Sequence, residues 1–262
     1  MAFESNLLFL SDRVLILSYK GSISSPKDLP AGAPQGTLLG VVCFIVKFNG
    51  ALLRPAIPRP QLTTEAMKAK YMDDISIAAK SESSLQILLN ALQQFSSEHC
   101  KEINHSKSKI MHFSRSRQNA DGPKLKIGDQ GFLEEISSFK LLGIMISSNL
   151  KWHKNTEYLC CKARKKIFSL RNMKLSGLDR SELIDAYKKE VRSILELAIP
   201  VWNSGLTLDK VRQFERVQKS SSSIILGPQY ENYENALKLT NLERLSTRRK
   251  NMCLKFIKKE FG

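Results

Sequence analysis

With 262 residues, 42% of them hydrophobic and 25% charged, the chain is long enough for one large domain or two modest ones and too apolar to be disordered throughout. Its formal net charge is +16, and the excess is uneven: residues 1–150 hold 17 Lys and Arg against 13 Asp and Glu, whereas residues 151–262 hold 24 against 12. A field of that sign disfavours cationic partners and favours a polyanion, nucleic acid ahead of an anionic membrane surface.

A membrane partner is not expected. The most apolar run, residues 38–48, is 11 residues long and contains Lys47, well short of the roughly 20 needed to cross a bilayer. The chain opens with no charged-then-apolar leader, so an intracellular location is expected, nuclear or cytoplasmic. Cys43, Cys100, Cys160, Cys161 and Cys253 form no C-x-x-C pair and read as reduced thiols. Cys160 and Cys161 beside His153 lack the ligand spacing of a zinc site.

In chain order, residues 13–23 (RVLILSYKGSI) are β-prone and end near a glycine, as in a strand or hairpin. Residues 26–36 hold three prolines and read as a loop. Residues 37–53 are apolar on most sides, the pattern of a buried helix, and the proline-rich stretch 54–62 reads as an extended link. Residues 71–79 place short apolar segments on both sides of Asp73 and Asp74, as in a tight hairpin. The clearest helix covers 81–100: Leu85, Leu88, Leu89, Leu92 and Phe95 form one stripe, preceded by serines suited to an N-cap. Residues 109–114 and 138–147 read as strands with a glycine-rich hairpin between them. From about residue 151 the pattern is helical, over 156–174, 179–198, 207–226 and 241–260. The fold class expected is α+β, with a domain over 1–150 and a basic helical region over 151–262.

Lys70-Tyr71-Met72-Asp73-Asp74 poses the chemical question. Adjacent aspartates between strand-like residues suit a polar turn, and they equally suit a site for a hard divalent cation. The neighbours bear on the choice. Upstream lies Ala31-Gly32-Ala33-Pro34-Gln35-Gly36. Downstream, beyond the helix, come Asn104-His105-Ser106-Lys107 and then Leu141-Leu142-Gly143-Ile144. This ordered set resembles the reverse transcriptases of non-LTR retrotransposons, in which a G-x-P-Q-G loop, Tyr-x-Asp-Asp, N-x-x-K and a Leu-Gly strand follow one another. Trp152, residues 198–203 (AIPVWN) and residues 214–219 (FERVQK) also look like the helical region of that family.

The resemblance implies a partial polymerase palm, an antiparallel sheet with helices on one face, followed by a helical thumb. It implies RNA-directed DNA synthesis with an RNA template, a DNA primer and deoxynucleoside triphosphates, assisted by two Mg²⁺ ions or by Mn²⁺. Asp73 would be a direct metal ligand and Asp74 the second. Tyr71 and Met72 would pack beside the primer end and the nucleotide, with core filling the plain alternative for Met72. Gly32, Pro34, Gln35 and Gly36 would shape the loop under nucleotide and template, where glycine lets backbone approach a base closely. Lys107 would meet the pyrophosphate, with Lys109 its rival. Leu142 and Gly143 would form the primer grip, or else a core strand with a glycine bulge. The family uses three aspartates, the first on an earlier strand. Only Asp12 and Asp28 precede Gly32, and neither has that setting. The expectation is therefore a copy shortened at its N-terminus whose polymerase centre is incomplete. The alternative is a non-catalytic, basic nucleic-acid-binding remnant of such an element.

Overall fold

The computed structural model describes residues 14–28, 66–99, 101–113, 122–129 and 131–261. The predicted loop beyond residue 28, the helix over 37–53 and the link over 54–62 lie outside them. The chain divides into two compact units, residues 1–108 with 123–133, and residues 109–122 with 134–262. The described residues are α+β, with short strands first and a helical C-terminal region after, as the sequence predicts. Among the described residues the strands pair two by two, in five separate ladders.

In the first unit, β1 (Val14–Leu15) pairs antiparallel with β4 (Lys27–Asp28), and β2 (Ser18–Tyr19) with β3 (Ser22–Ile23). The β2–β3 turn is Lys20-Gly21, both at positive φ, the backbone whose twist matches that of the flanking strands. β5 (Met67–Tyr71) and β6 (Asp74–Ala78) form the next hairpin. Helix α1 (Glu82–Glu98) follows, capped by Ser81, whose side chain accepts from the Ser84 amide. Its apolar stripe buries Leu88, Leu89 and Leu92. Against it lies the glycine-rich segment. The Gln86 amide donates to the Lys126 carbonyl at 2.9 Å and accepts from its N–H at 3.0 Å. Glu82 takes the Lys124 N–H at 2.9 Å. One helix face thus supplies both apolar burial (with Leu125, Ile127 and Leu133) and the missing partners of an irregular backbone.

In the second unit, β7 (Lys109–Ile110) runs parallel to β8 (Glu134–Glu135), and β9 (Ser138–Leu141) pairs antiparallel with β10 (Ile144–Ser147). The helices are α2 (His153–Leu175), α3 (Arg180–Ala186), a π-helical turn Tyr187–Arg192 running into α4 (Ser193–Leu195), α5 (Ile199–Trp202), α6 (Leu208–Leu226), α7 (Tyr233–Thr240) and α8 (Leu245–Phe261). Asp179 caps α3, its carboxylate taking the Glu182 N–H at 2.8 Å while Glu182 reaches back to the Asp179 N–H. That accepted hydrogen bond holds the Asp179 carboxyl below its ordinary range.

The core of this unit is continuous from Leu159 and Ala163 of α2 through Leu183, Tyr187 and Val191 to Trp202, Phe214 and Leu245. Trp202 and Phe214 stack at 5.2 Å between centroids, and the Trp202 Nε1–H donates to the Leu197 carbonyl at 2.8 Å. Buried polar groups link the helices. The Tyr187 hydroxyl donates to Gln218 at 2.7 Å, and Gln218 donates in turn to the Glu243 carbonyl at 2.9 Å. Glu215 of α6 accepts from the Tyr233 hydroxyl at 2.5 Å and from the Ser246 N–H, in the first turn of α8, at 2.8 Å. Lys174, near the end of α2, donates to the Ile224 and Ile225 carbonyls and so closes the C-terminal turn of α6.

Gly205 lies against the indole of Trp152. A Cβ there would sit 2.6 Å from Cδ1 and 2.8 Å from Nε1 of that ring, closer than any van der Waals contact allows. Gly205→Ala should cost about 1–3 kcal/mol through overpacking, read as a lower urea midpoint with an unchanged slope. An unchanged midpoint would mean that Trp152 swings aside freely.

Candidate functional site

Tyr71 stands opposite Asp74 in the β5–β6 ladder, so Met72 and Asp73 alone make the turn. A two-residue hairpin that matches strand twist needs positive φ at its first turn position, and Met72 has φ 53°. Methionine lacks the polar side chain that eases Asn or Asp into this region, so the position carries steric cost. Strained non-glycine positions of this kind concentrate at functional sites. Met72 and Tyr71 are each 61% exposed, which removes core filling as an account of Met72. The tight hairpin predicted over 71–79 is present but begins earlier, with its first strand over Met67–Tyr71 and its second over Asp74–Ala78.

Asp73 ends the turn and Asp74 opens β6, both exposed. Neither side chain has a hydrogen bond or ion pair among the described residues. Behind the tip, Lys68 and Lys70 share one face of β5. Burial, and then the charge of Lys68, hold the Lys70 ammonium below its ordinary range.

Exposed, acceptor-only oxygens held by a short hairpin suit a hard divalent cation, which completes its shell with water and phosphate. The donor chemistry fits. The number of donors is small, since among the described residues no group of three or more His, Cys, Asp or Glu gathers at one place. Cys160 is buried and its thiol is pushed up to about 11 by that burial, whereas Cys161 faces solvent. The cysteine pair therefore splits across the two sides of α2.

Of the other predicted residues, some lie outside the described region. Asn104 organises a tight turn, its side chain accepting from the Lys107 N–H at 3.0 Å and from the Ser106 hydroxyl at 2.8 Å. The Lys107 side chain is exposed, while Lys109 is held by Glu134 at 2.5 Å. Leu142 and Gly143 do not lie within a strand. The single strand predicted over 138–147 is a hairpin, with Leu142 and Gly143 as its turn at φ 48° and 87°. The reason is local: two successive left-handed residues reverse the chain, and an apolar run of this length hides that reversal. Gly32, Pro34, Gln35 and Gly36 lie outside the described residues.

The basic runs also divide. Of Arg164-Lys165-Lys166, Lys166 is paired with Glu190 at 2.7 Å. Of Arg248-Arg249-Lys250, Arg248 is bound by Glu196 at 2.5 Å, and that hydrogen bond raises its pKa. Arg249 is 1% exposed and lies over the Phe214 ring at 5.1 Å, its Nε and Nη1 without hydrogen-bond partners. Burial lowers its pKa. In the second run Arg248 and Arg249 are thus taken up by the packing, while Lys250 is exposed. Among the described residues no helix is long and apolar enough to cross a membrane.

In chain order the two-aspartate hairpin precedes the helical region. The family model for the reverse transcriptase (RNA-dependent DNA polymerase) matches residues 4–162, and the chain belongs to that family. It is similar to the RNA-directed DNA polymerase from mobile element jockey of Drosophila funebris, 25% identical over 215 residues, covering 78% of this chain and 23% of that protein. The protein of the same description from Drosophila melanogaster is 26% identical over 153 residues, covering 56% of this chain and 16% of that one. These relatives support the non-LTR retrotransposon type, and the chain spans less than a quarter of either. No solved structure matches at a significant level.

Proposed function

We propose that this chain supplies part of the palm (residues 1–150) and the thumb-like helical region (residues 151–262) of an RNA-directed DNA polymerase, with the Tyr71–Asp74 hairpin as the metal-holding corner of its nucleotidyl-transfer site. The observation that carries this reading is the hairpin tip itself. Two adjacent carboxylates with no partner of their own among the described residues stand at the hairpin tip, Asp73 in the turn and Asp74 at the start of β6, within the stretch that the family model matches.

Asp73 and Asp74 would hold the divalent ions. Such ions, when bound, lower the barrier to attack of a 3′-hydroxyl on the nucleotide's phosphorus and neutralise the pyrophosphate charge. The remaining roles belong to the chain. Tyr71 and Met72 border the primer end. Lys107 offers a cation to the leaving pyrophosphate. Gly32, Pro34, Gln35 and Gly36 would contact nucleotide and template, and the Leu142-Gly143 turn would support the primer strand. RNA template, DNA primer and deoxynucleoside triphosphates are the partners that this reading requires.

Mn²⁺ titration of the ¹⁵N-labelled chain tests the metal assignment without any need for turnover. Paramagnetic broadening should appear first at the amides of residues 71–74 and be lost in Asp73→Asn with Asp74→Asn. Broadening elsewhere, or broadening indifferent to these substitutions, rejects the hairpin as the metal site.

A further inference from the structure

A cleft of about 570 Å³ opens between α2 and α6, lined by Arg164 and Arg171 of α2, Lys219, Ser220 and Ser223 of α6, and Tyr230 beyond it. Ile167 and Ile224 also line it, and no carboxylate does. Helical geometry explains the arrangement. Arg164 and Arg171 are two turns apart, about 10 Å along one face of α2. The four serines of α6 divide by the same periodicity. Ser221 and Ser222 are buried, and the Ser221 hydroxyl is spent on the Val217 carbonyl at 3.0 Å. Ser220 and Ser223 face the cleft side exposed. The Ser220 hydroxyl donates to the Arg216 carbonyl at 3.0 Å and keeps its oxygen as an acceptor.

Some cations of this unit are neutralised by nearby acids, Lys166 by Glu190 and Lys188 by Asp185. Arg164 and Arg171 have no ion pair among the described residues. Three cations around an acid-free cleft call for a polyanion. The partly buried Tyr230 ring at its edge is a stacking face for a base that is not already stacked in a duplex. The two serine oxygens are partners for ribose 2′-hydroxyls, the groups that distinguish RNA from DNA.

We propose that this cleft binds single-stranded RNA, with phosphates on Arg164, Arg171 and Lys219, ribose hydroxyls on Ser220 and Ser223, and a base against Tyr230. The inference does not rest on the nucleotidyl-transfer reading, since the cleft is built wholly within the helical unit and needs neither metal nor nucleotide. Failure at the hairpin leaves it standing, and failure here leaves the hairpin standing.

The test is fluorescence anisotropy of a labelled oligouridine with the full 262-residue chain, without primer, metal or nucleotide. Arg164→Gln with Arg171→Gln should flatten the dependence of log affinity on log salt by about 1.4, the value for two single-strand phosphate contacts. Tyr230→Leu should weaken binding about tenfold with the salt slope unchanged. Preference for oligouridine over oligodeoxythymidine should narrow in Ser220→Ala with Ser223→Ala. Lys255→Gln with Lys258→Gln removes the same charge from exposed positions of α8 and serves as the control. An equal loss in that control means diffuse electrostatics only and overturns the proposal. So does duplex RNA that competes as well as single strands. Unchanged circular dichroism and melting temperature show that each variant is folded.

Discussion

Trp202→Ala should destabilise the helical unit by about 3–5 kcal/mol, the range for truncating a buried aromatic. Three losses combine. The indole is fully buried, so its removal leaves a cavity that the close-packed helices fill only in part. Its stack on Phe214 disappears. The Leu197 carbonyl, next to the left-handed Ala198 that starts α5, loses its donor. Arg249 then lies over a Phe214 ring that is free to shift, and a buried cation with two unpartnered nitrogens has little else to hold it. Small domains are stable by only about 5–15 kcal/mol, so the variant should sit near the edge of unfolding. Urea unfolding followed by circular dichroism measures it. Trp202→Phe, which keeps most of the stack and gives up the hydrogen bond, should lose less than half as much. A loss under about 1 kcal/mol for the alanine variant would show that the stack is peripheral to the core, against the principle that buried aromatics dominate it.

Primer extension on a homopolymer RNA template with Mg²⁺ should be at or near background for this chain, and Asp73→Asn should remove what remains. The argument is one of ligand number. The hairpin offers two adjacent carboxylates, and no third acidic or imidazole group joins them among the described residues. Two divalent ions bring four positive charges, and a site with few fixed anionic ligands holds them weakly and loosely. Catalysis that depends on placing the attacking oxygen falls steeply with such looseness. Robust synthesis that vanishes in Asp73→Asn would reverse this expectation and show that two carboxylates with substrate phosphates suffice. Robust synthesis untouched by Asp73→Asn would place the chemistry away from the hairpin.

Much of the helical half was legible because its signal is periodic. The stripe from Leu85 to Phe95 located α1, and α2, α6 and α8 lie within a few residues of their predicted spans. Helix α7 was missed. It is eight residues long, too short for periodicity to show, and its true marks are two asparagines. Asn232 caps its start through the Asn235 N–H, and Asn241 ends it in the left-handed region. The π-helical turn at Tyr187–Arg192 was invisible for another reason. It leaves the helix continuous and shifts only which residues face inward.

At the candidate site, the tight turn was readable from two aspartates between apolar segments. The left-handed backbone of Met72 was not, because side-chain type argues against it. The same conflict hid the Leu142-Gly143 turn inside what reads as one strand. Nor does sequence tell which basic residues keep their charge available. Arg249 and Arg164 look alike in their runs, and only packing separates a buried arginine from one that lines a cleft.

Glu215 makes the C-terminal helix conditional. The N–H of Ser246 has its acceptor not from its own chain neighbourhood but from a carboxylate on α6, steadied by the Tyr233 hydroxyl of α7. Without that carboxylate the Ser246 N–H would have water in place of a fixed acceptor, and the first turn is the costliest part of a helix to form. Removing the Glu215 carboxylate should therefore fray the first turn of this seventeen-residue helix before the turns beyond it.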